Sequence, residues 1–275
     1  MTRELCIIHA NCQGDPLADL LAGQPDFAAR YEVRRYTNYL KERIPPHELT
    51  RCALFIYQHL GERWDDLSSQ ALLRLVPSAC RVLQVPNMLF KGYWPFWTNQ
   101  SSMDFGDSFL DRLAGMGLDR AEMLHVYLHG DLTRKYDLVG MLEKSLAIEE
   151  DKERNAVVHT VPLVRSLWQH EKLFATINHP QRRLLLHVAD GVLAALGMEG
   201  VPADVADAFA VPYTEFELPI HPQVAALHGL PFADAQTRYH VYGKTLTFED
   251  YVRCYIDCRL RGIDSFIGYL HLVHV

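Results

Sequence analysis

The stretch Leu5-Cys6-Ile7-Ile8-His9-Ala10-Asn11-Cys12-Gln13-Gly14-Asp15-Pro16-Leu17 reads as strand, turn and helix in immediate succession. Leu5 to His9 is a short apolar run of the length a buried strand requires. Ala10 to Gly14 is a polar turn. Asp15 suits a helix cap and Pro16 the first helical position. Leu17, Leu20 and Leu21 share one helical face, and Gly23 can end the helix.

Working outward, the pattern recurs. A second strand is expected at Tyr31–Tyr36, a third at Ala53–Tyr57 and a fourth at Arg81–Val85. Helical periodicity runs from Leu67 to Val76, with Asp65 and Asp66 at its N-terminus. Repeated strand-then-helix units imply parallel strands joined by right-handed crossovers. Beyond Pro86 an aromatic loop, Phe90 to Trp97, leads into helical spacing: Ser108–Gly115, Arg120–Leu128, Thr133–Glu150, Leu163–His170 and Pro180–Leu196. A closing helix, Phe248–Leu260, is announced by Thr247 and Asp250 in a capping pattern. The expected class is therefore α/β, with an N-terminal open, mostly parallel sheet and flanking helices, followed by a mainly helical C-terminal half packed on it. The expected regions are 1–100, carrying the Cys12 turn, and 101–275, joined as one integrated unit.

Composition excludes some partners. A net charge of −7 over 275 residues is the wrong sign for a broad nucleic-acid surface, which needs clustered Lys and Arg. The first eight residues hold one basic residue and an apolar run too short for a secretory signal or a membrane span, so a cytoplasmic protein without an integral membrane segment is expected. The six cysteines form no CxxC pair and no HExxH motif occurs, so no metal is expected.

Ligands of an open parallel sheet bind beyond the carboxyl ends of its strands. There the sequence places Asn11, Cys12 and Gln13 after the first strand, Gln58 and His59 after the third, and Asn87 and Lys91 after the fourth. Cys12, between a strand and a helix N-terminus, is the candidate nucleophile, because helix dipole and backbone N–H groups favour a thiolate. His179, in Asn178-His179-Pro180 ahead of a helix with an apolar stripe at Leu184, Leu185, Val188, Val192, Leu193 and Leu196, is the candidate base; a capping role for it or for Asn178 is the alternative. Glu171 is a possible orienting carboxylate. Asp104 and Asp107 read as helix caps. The Phe90–Trp97 segment reads first as core, with Lys91 and the tryptophans lining a nucleotide-containing ligand as the alternative.

The residues Asn11-Cys12-Gln13-Gly14, Gln58, Val85-Pro86-Asn87, Phe90, Gly92-Tyr93, Leu173-Phe174 and Asn178-His179-Pro180, with the later Gly243–Tyr251 stretch, resemble the WcbI-type polysaccharide-biosynthesis acetyltransferases of bacterial capsule pathways. The resemblance implies binding of coenzyme A or acetyl-coenzyme A and acetylation of a sugar hydroxyl on a polysaccharide or nucleotide-sugar acceptor, in a fold distantly like the SGNH hydrolases. It implies Cys12, Gln58 and His179 as catalytic residues, and Asn11, Gln13, Gly14, His59 and Asn87 around the substrate or oxyanion. Lys91, Tyr93 and Trp94 are the candidates for contact with the coenzyme, and the absence of a Gly-rich phosphate loop leaves its nucleotide site without a motif. No clear GDS block or C-terminal DxxH is present. Either an acyl-Cys12 path or direct transfer aided by His179 is compatible with these residues. An SGNH-like esterase or deacetylase and a non-catalytic sugar-binding protein of the capsule machinery are the alternatives.

Overall fold

In a computed structural model, which describes residues 3–101 and 103–273, four strands form one parallel sheet. They are β1 (Glu4–Ala10), β2 (Tyr31–Thr37), β3 (Cys52–Gln58) and β4 (Arg81–Val85), in the order β2-β1-β3-β4. Helices flank this sheet and prevail in the C-terminal half, as the α/β pattern requires. The central strands are nearly continuous apolar runs because both their faces are covered. β1 is buried from Leu5 to Ala10. The edge strand β2 carries Arg34 and Arg35, charges that discourage pairing with a further strand.

Alternation along β1 sends Leu5, Ile7 and His9 to one face. Leu5 and Ile7 there join a cluster with Ile44, Leu49, Phe55, Tyr57 and Leu72. Ile8 and Ala10 face the other side, where the first helix, α1 (Gly14–Ala22), begins.

The chain divides into two compact units, the first Met1–Leu89, Ile148–Ser166 and His179–Pro212, the second Phe90–Ala147, Leu167–Asn178 and Tyr213–Val275. In the first unit α1 packs along the Arg182–Leu196 helix, which buries Leu184, Leu185, Val188, Ala189, Val192 and Leu193. In the second, the helices Ser108–Gly115, Arg120–His129 and Phe248–Leu260 pack together. Their starts are satisfied by Asp107, by an Asp119/Glu122 capping box and by the expected Thr247/Asp250 box.

Several boundaries differ from the expectation. Gln13, not Asp15, is the N-cap of α1, because Asn11 closes the turn early: its carbonyl accepts the Gly14 N–H and its side chain the Gln13 N–H. The Leu67–Val76 stretch is a 3-10 segment, Glu62–Leu67, followed by a short helix, Ser69–Leu73, capped by Ser68. The single helix expected over Thr133–Glu150 breaks into Leu132–Lys135 and Leu138–Lys152, with the Asp137 carboxylate accepting the Gly140 N–H at the second start. The helix expected from Leu163 to His170 lies at Val161–Leu167, and the one expected from Pro180 begins at Arg182. Unanticipated are short helices at Pro25–Arg30, Ala203–Ala208, Pro222–His228 and Phe266–Leu272. A hairpin of Tyr239–Val241 with Lys244–Leu246 is also new, and its Tyr242-Gly243 turn has positive φ at both residues (47° and 77°), the type I′ geometry that suits hairpin twist. Among the described residues, no helix is long and apolar enough to cross a membrane.

A Cβ added at Gly14 would lie 2.9 Å from the Cβ of Ala10, an atom that cannot move without its strand. Gly14→Ala is therefore expected to destabilise the protein by about 1–3 kcal/mol, read from urea unfolding, through overpacking at the first turn of α1.

Candidate active site

The carboxyl edge of the sheet is tied by side-chain amides. Gln58, at the end of β3 and 1% exposed, accepts the Asn11 N–H at 2.8 Å. Its own amide nitrogen donates to Gln13 Oε1 at 3.0 Å and to the Pro86 carbonyl at 3.1 Å. Gln13 in turn accepts the Met88 N–H at 3.1 Å and donates to the Met88 carbonyl at 2.8 Å. The Asn11 amide donates to Asn87 Oδ1 at 2.9 Å. The turn after β1, the end of β3 and the loop after β4 are thus joined into one network, and the expected convergence of Asn11, Gln13, Gln58 and Asn87 is a hydrogen-bonded fact. Its chemistry differs from the expected one. Both amide hydrogens of Gln58 are engaged inside the protein, as are the backbone N–H groups of Asn11, Gln13 and Gly14. These groups hold the turn in place and are not poised as oxyanion donors. His59 is exposed at the surface.

Cys12 sits at the centre of this turn and is buried. Burial pushes its thiol up to about 11, with the Asp15 carboxylate adding to the rise, against the backbone N–H groups of Cys12 and Gln13 that pull it down. The expected thiolate at neutral pH is therefore corrected: desolvation outweighs the helix N-terminus, and Cys12 rests as a protonated thiol.

His179 is half-buried and lies just ahead of the Arg182–Leu196 helix, whose N-cap is Gln181. His179 and Asn178 therefore do not cap it. The direction of this helix follows from its far end, where the Ala195 carbonyl accepts from Arg81 at the start of β4. Its N-terminus accordingly points to the carboxyl edge of the sheet, the same edge at which α1 starts, and the two helices pack side by side. His179 and the Cys12 turn share that edge.

The remaining candidates lie in the second unit. Tyr93 is fully buried; its hydroxyl lies 2.7 Å from the Trp168 carbonyl and 3.1 Å from that of Glu171. The Trp94 indole N–H lies 3.1 Å and 3.0 Å from the Leu218 and Pro219 carbonyls. Both polar groups are committed to holding backbone, so the expectation that they contact the coenzyme gives way to a structural role for those atoms. The Lys91 ammonium lies 3.4 Å from the Trp97 carbonyl and 5.0 Å from the Trp97 ring. Glu171 is half-buried. Asp107 caps its helix as expected, while Asp104 lies 3.4 Å from the Ile267 N–H.

One buried imidazole escaped the sequence reading. His9 in β1 is 1% exposed, and among the described residues its Nε2 has no hydrogen-bond partner. Burial lowers its pKa to about 4, so the ring is neutral at pH 7. The available signal was a histidine inside an apolar strand, three residues before Cys12.

Two outcomes follow. Gln58→Leu leaves the Asn11 N–H and the Pro86 carbonyl without their partner and is expected to cost at least about 2 kcal/mol in urea unfolding. Alkylation of Cys12 by iodoacetamide, followed by peptide mapping, is expected to keep accelerating with pH beyond the ordinary thiol range, because the thiolate forms only near the raised pKa of about 11. A plateau below pH 9 would contradict the protonated thiol.

A search among curated proteins found no match for this sequence. A solved structure is similar over 98% of this chain and 94% of its own, with a TM-score of 0.73 and 18% sequence identity, a level at which the likeness shows the fold. That protein is described as WcbI, a novel polysaccharide biosynthesis enzyme, in its native form without a disulfide bond between coenzyme A and a cysteine. The family model described as "Polysaccharide biosynthesis enzyme WcbI" matches residues 5–201. With most of its length covered by that match, the chain belongs to the WcbI family of polysaccharide biosynthesis enzymes.

Proposed function

We propose that this enzyme transfers an acetyl group from acetyl-coenzyme A to a sugar hydroxyl. The observation that carries the reading is the Cys12 turn: a buried thiol at the start of α1, immobilised by the Gln13, Gln58 and Asn87 network and set on the same sheet edge as His179. The description of the similar structure, which names coenzyme A and a cysteine as not joined by a disulfide bond, supports the choice of acyl donor. The family's role in polysaccharide biosynthesis supports a carbohydrate acceptor.

Direct transfer fits the protonated thiol better than an acyl-cysteine path. His179 takes the proton of the sugar hydroxyl while its oxygen attacks the thioester carbonyl carbon. The carbon–sulfur bond then breaks, and the departing coenzyme A thiolate takes the proton back from the imidazolium. The Cys12 S–H and the positive end of α1 face the carbonyl oxygen as it gains charge. Asn87 helps to place the acceptor. Gln13 and Gln58 act as positioning residues, since they reach the reaction only through the turn they hold.

Calorimetric titration tests the reading. Coenzyme A and acetyl-coenzyme A are expected to bind with micromolar affinity, about −8 kcal/mol, and to keep binding in His179→Ala. That variant is expected to lose transfer by about 10²-fold or more. Cys12→Ser is expected to retain measurable transfer, and mass spectrometry after mixing with acetyl-coenzyme A is expected to find no acetyl adduct on Cys12. Absence of coenzyme A binding would overturn the proposal in favour of the esterase or sugar-binding alternative, and an acetyl-Cys12 adduct competent for transfer would replace direct attack with the two-step path.

A further inference from the structure

Two cysteines meet at the amino edge of the sheet, opposite the edge that carries Cys12. Cys52 opens β3, and Cys80 ends the turn into β4, its N–H donating to the Pro77 carbonyl. Leu54 pairs with Arg81, so Cys80 stands beside Ala53 and one residue out of step with Cys52. Strands about 4.8 Å apart with a rise of about 3.3 Å per residue put the two Cα atoms roughly 6 Å apart, inside the window of about 4.4–6.8 Å that a disulfide spans. Strict alternation would send the two side chains to opposite faces. A bulge removes that obstacle: Leu5 pairs with Cys52 and Cys6 with Leu54, which leaves Ala53 as the extra residue and re-aims Cys52. Cys52 accordingly joins the cluster of Leu5, Ile7 and Phe55, and Cys80 packs against the same cluster. The two thiols are hydrogen-bonded to each other.

We infer that Cys52 and Cys80 are an oxidation site, forming a reversible disulfide that ties the amino end of β3 to that of β4. Cys80 is half-buried, whereas the other cysteines are buried, so it meets a soluble oxidant first. The oxidant is a low-molecular-weight disulfide, RSSR. Cys80, its proton lost to water, attacks one sulfur of RSSR; the S–S bond breaks, and the departing thiolate takes up a proton as the first RSH. Cys52 then loses its proton and attacks Cys80 Sγ, expelling the second RSH. The two thiols are oxidised by two electrons, and RSSR is reduced to two RSH. The order of attack follows from the surroundings. Burial pushes the Cys52 thiol up to about 12, with Cys80 adding to the rise. Burial raises Cys80 as well, but there the Cys52 thiol and the Phe55 backbone oppose it. Cys80 is therefore the attacking thiol and Cys52 the resolving one. The link closes the stretch from residue 53 to residue 79 and so restricts the unfolded chain.

Peptide mapping of the full chain under non-reducing conditions, after incubation with excess glutathione disulfide, tests this site. A peptide cross-linked through Cys52 and Cys80 is expected, and dithiothreitol is expected to remove the link. Cys52→Ser is expected to stop one step earlier, with glutathione held on Cys80. Cys80→Ser, a change at a half-buried position, is expected to give neither that adduct nor the cross-link. The oxidised native chain is expected to melt about 4–8 °C above the reduced one, a rise that Cys80→Ser lacks. If Cys52→Ser does not fold, the native chain and Cys80→Ser decide the matter by themselves. A lasting glutathione adduct on Cys80 of the native chain, a cross-link through Cys6 instead, no modification of either cysteine, or a melting temperature that does not rise would overturn the site.

Discussion

A carboxamide buried at the edge of a sheet must find partners for its polar atoms, or each one left bare costs about 1–3 kcal/mol. Gln58 meets that demand by accepting from the turn after β1 and donating to both Gln13 and the loop after β4. Glutamine is suited to the place because it carries donor and acceptor on one planar group and has no charge to desolvate. Everything proposed for Cys12 depends on this tie. Without it the turn would rest on the Asn11 carbonyl and side chain and on the pairing of Gln13 with Met88.

The same burial decides the state of the thiol. A helix N-terminus contributes a fraction of a charge, screened and short in range, whereas removal of the sulfur from water opposes the thiolate directly. At Cys12 the second effect is the larger. The turn is thus held by neutral groups around a neutral thiol. His179 reaches the same edge by a different route, because its helix runs antiparallel to β4 with its last turn anchored by Arg81.

In the second unit polar groups are set among aromatic rings. Tyr93 and Trp94 use their polar atoms to hold neighbouring backbone. Asp107 is fixed by its capping role, and burial raises its pKa to about 6. One residue thus starts a helix and accepts the Tyr127 hydroxyl.

Much of this was legible in the sequence. The Ser108–Gly115 and Phe248–Leu260 helices and the β4 strand fell at their expected bounds, since caps and apolar periodicity are local signals. The order of residues also determined that Asn11, Cys12, Gln13, Gln58 and Asn87 would stand at strand ends. The hairpin at Tyr242-Gly243 stayed hidden because its turn lacks the usual Asn-Gly pair. The state of Cys12, the commitment of the Gln58 hydrogens and the burial of His9 were decided only by tertiary structure. Each depends on how much water is excluded and on which distant backbone group arrives as partner, and neither quantity is a property of a short segment of chain.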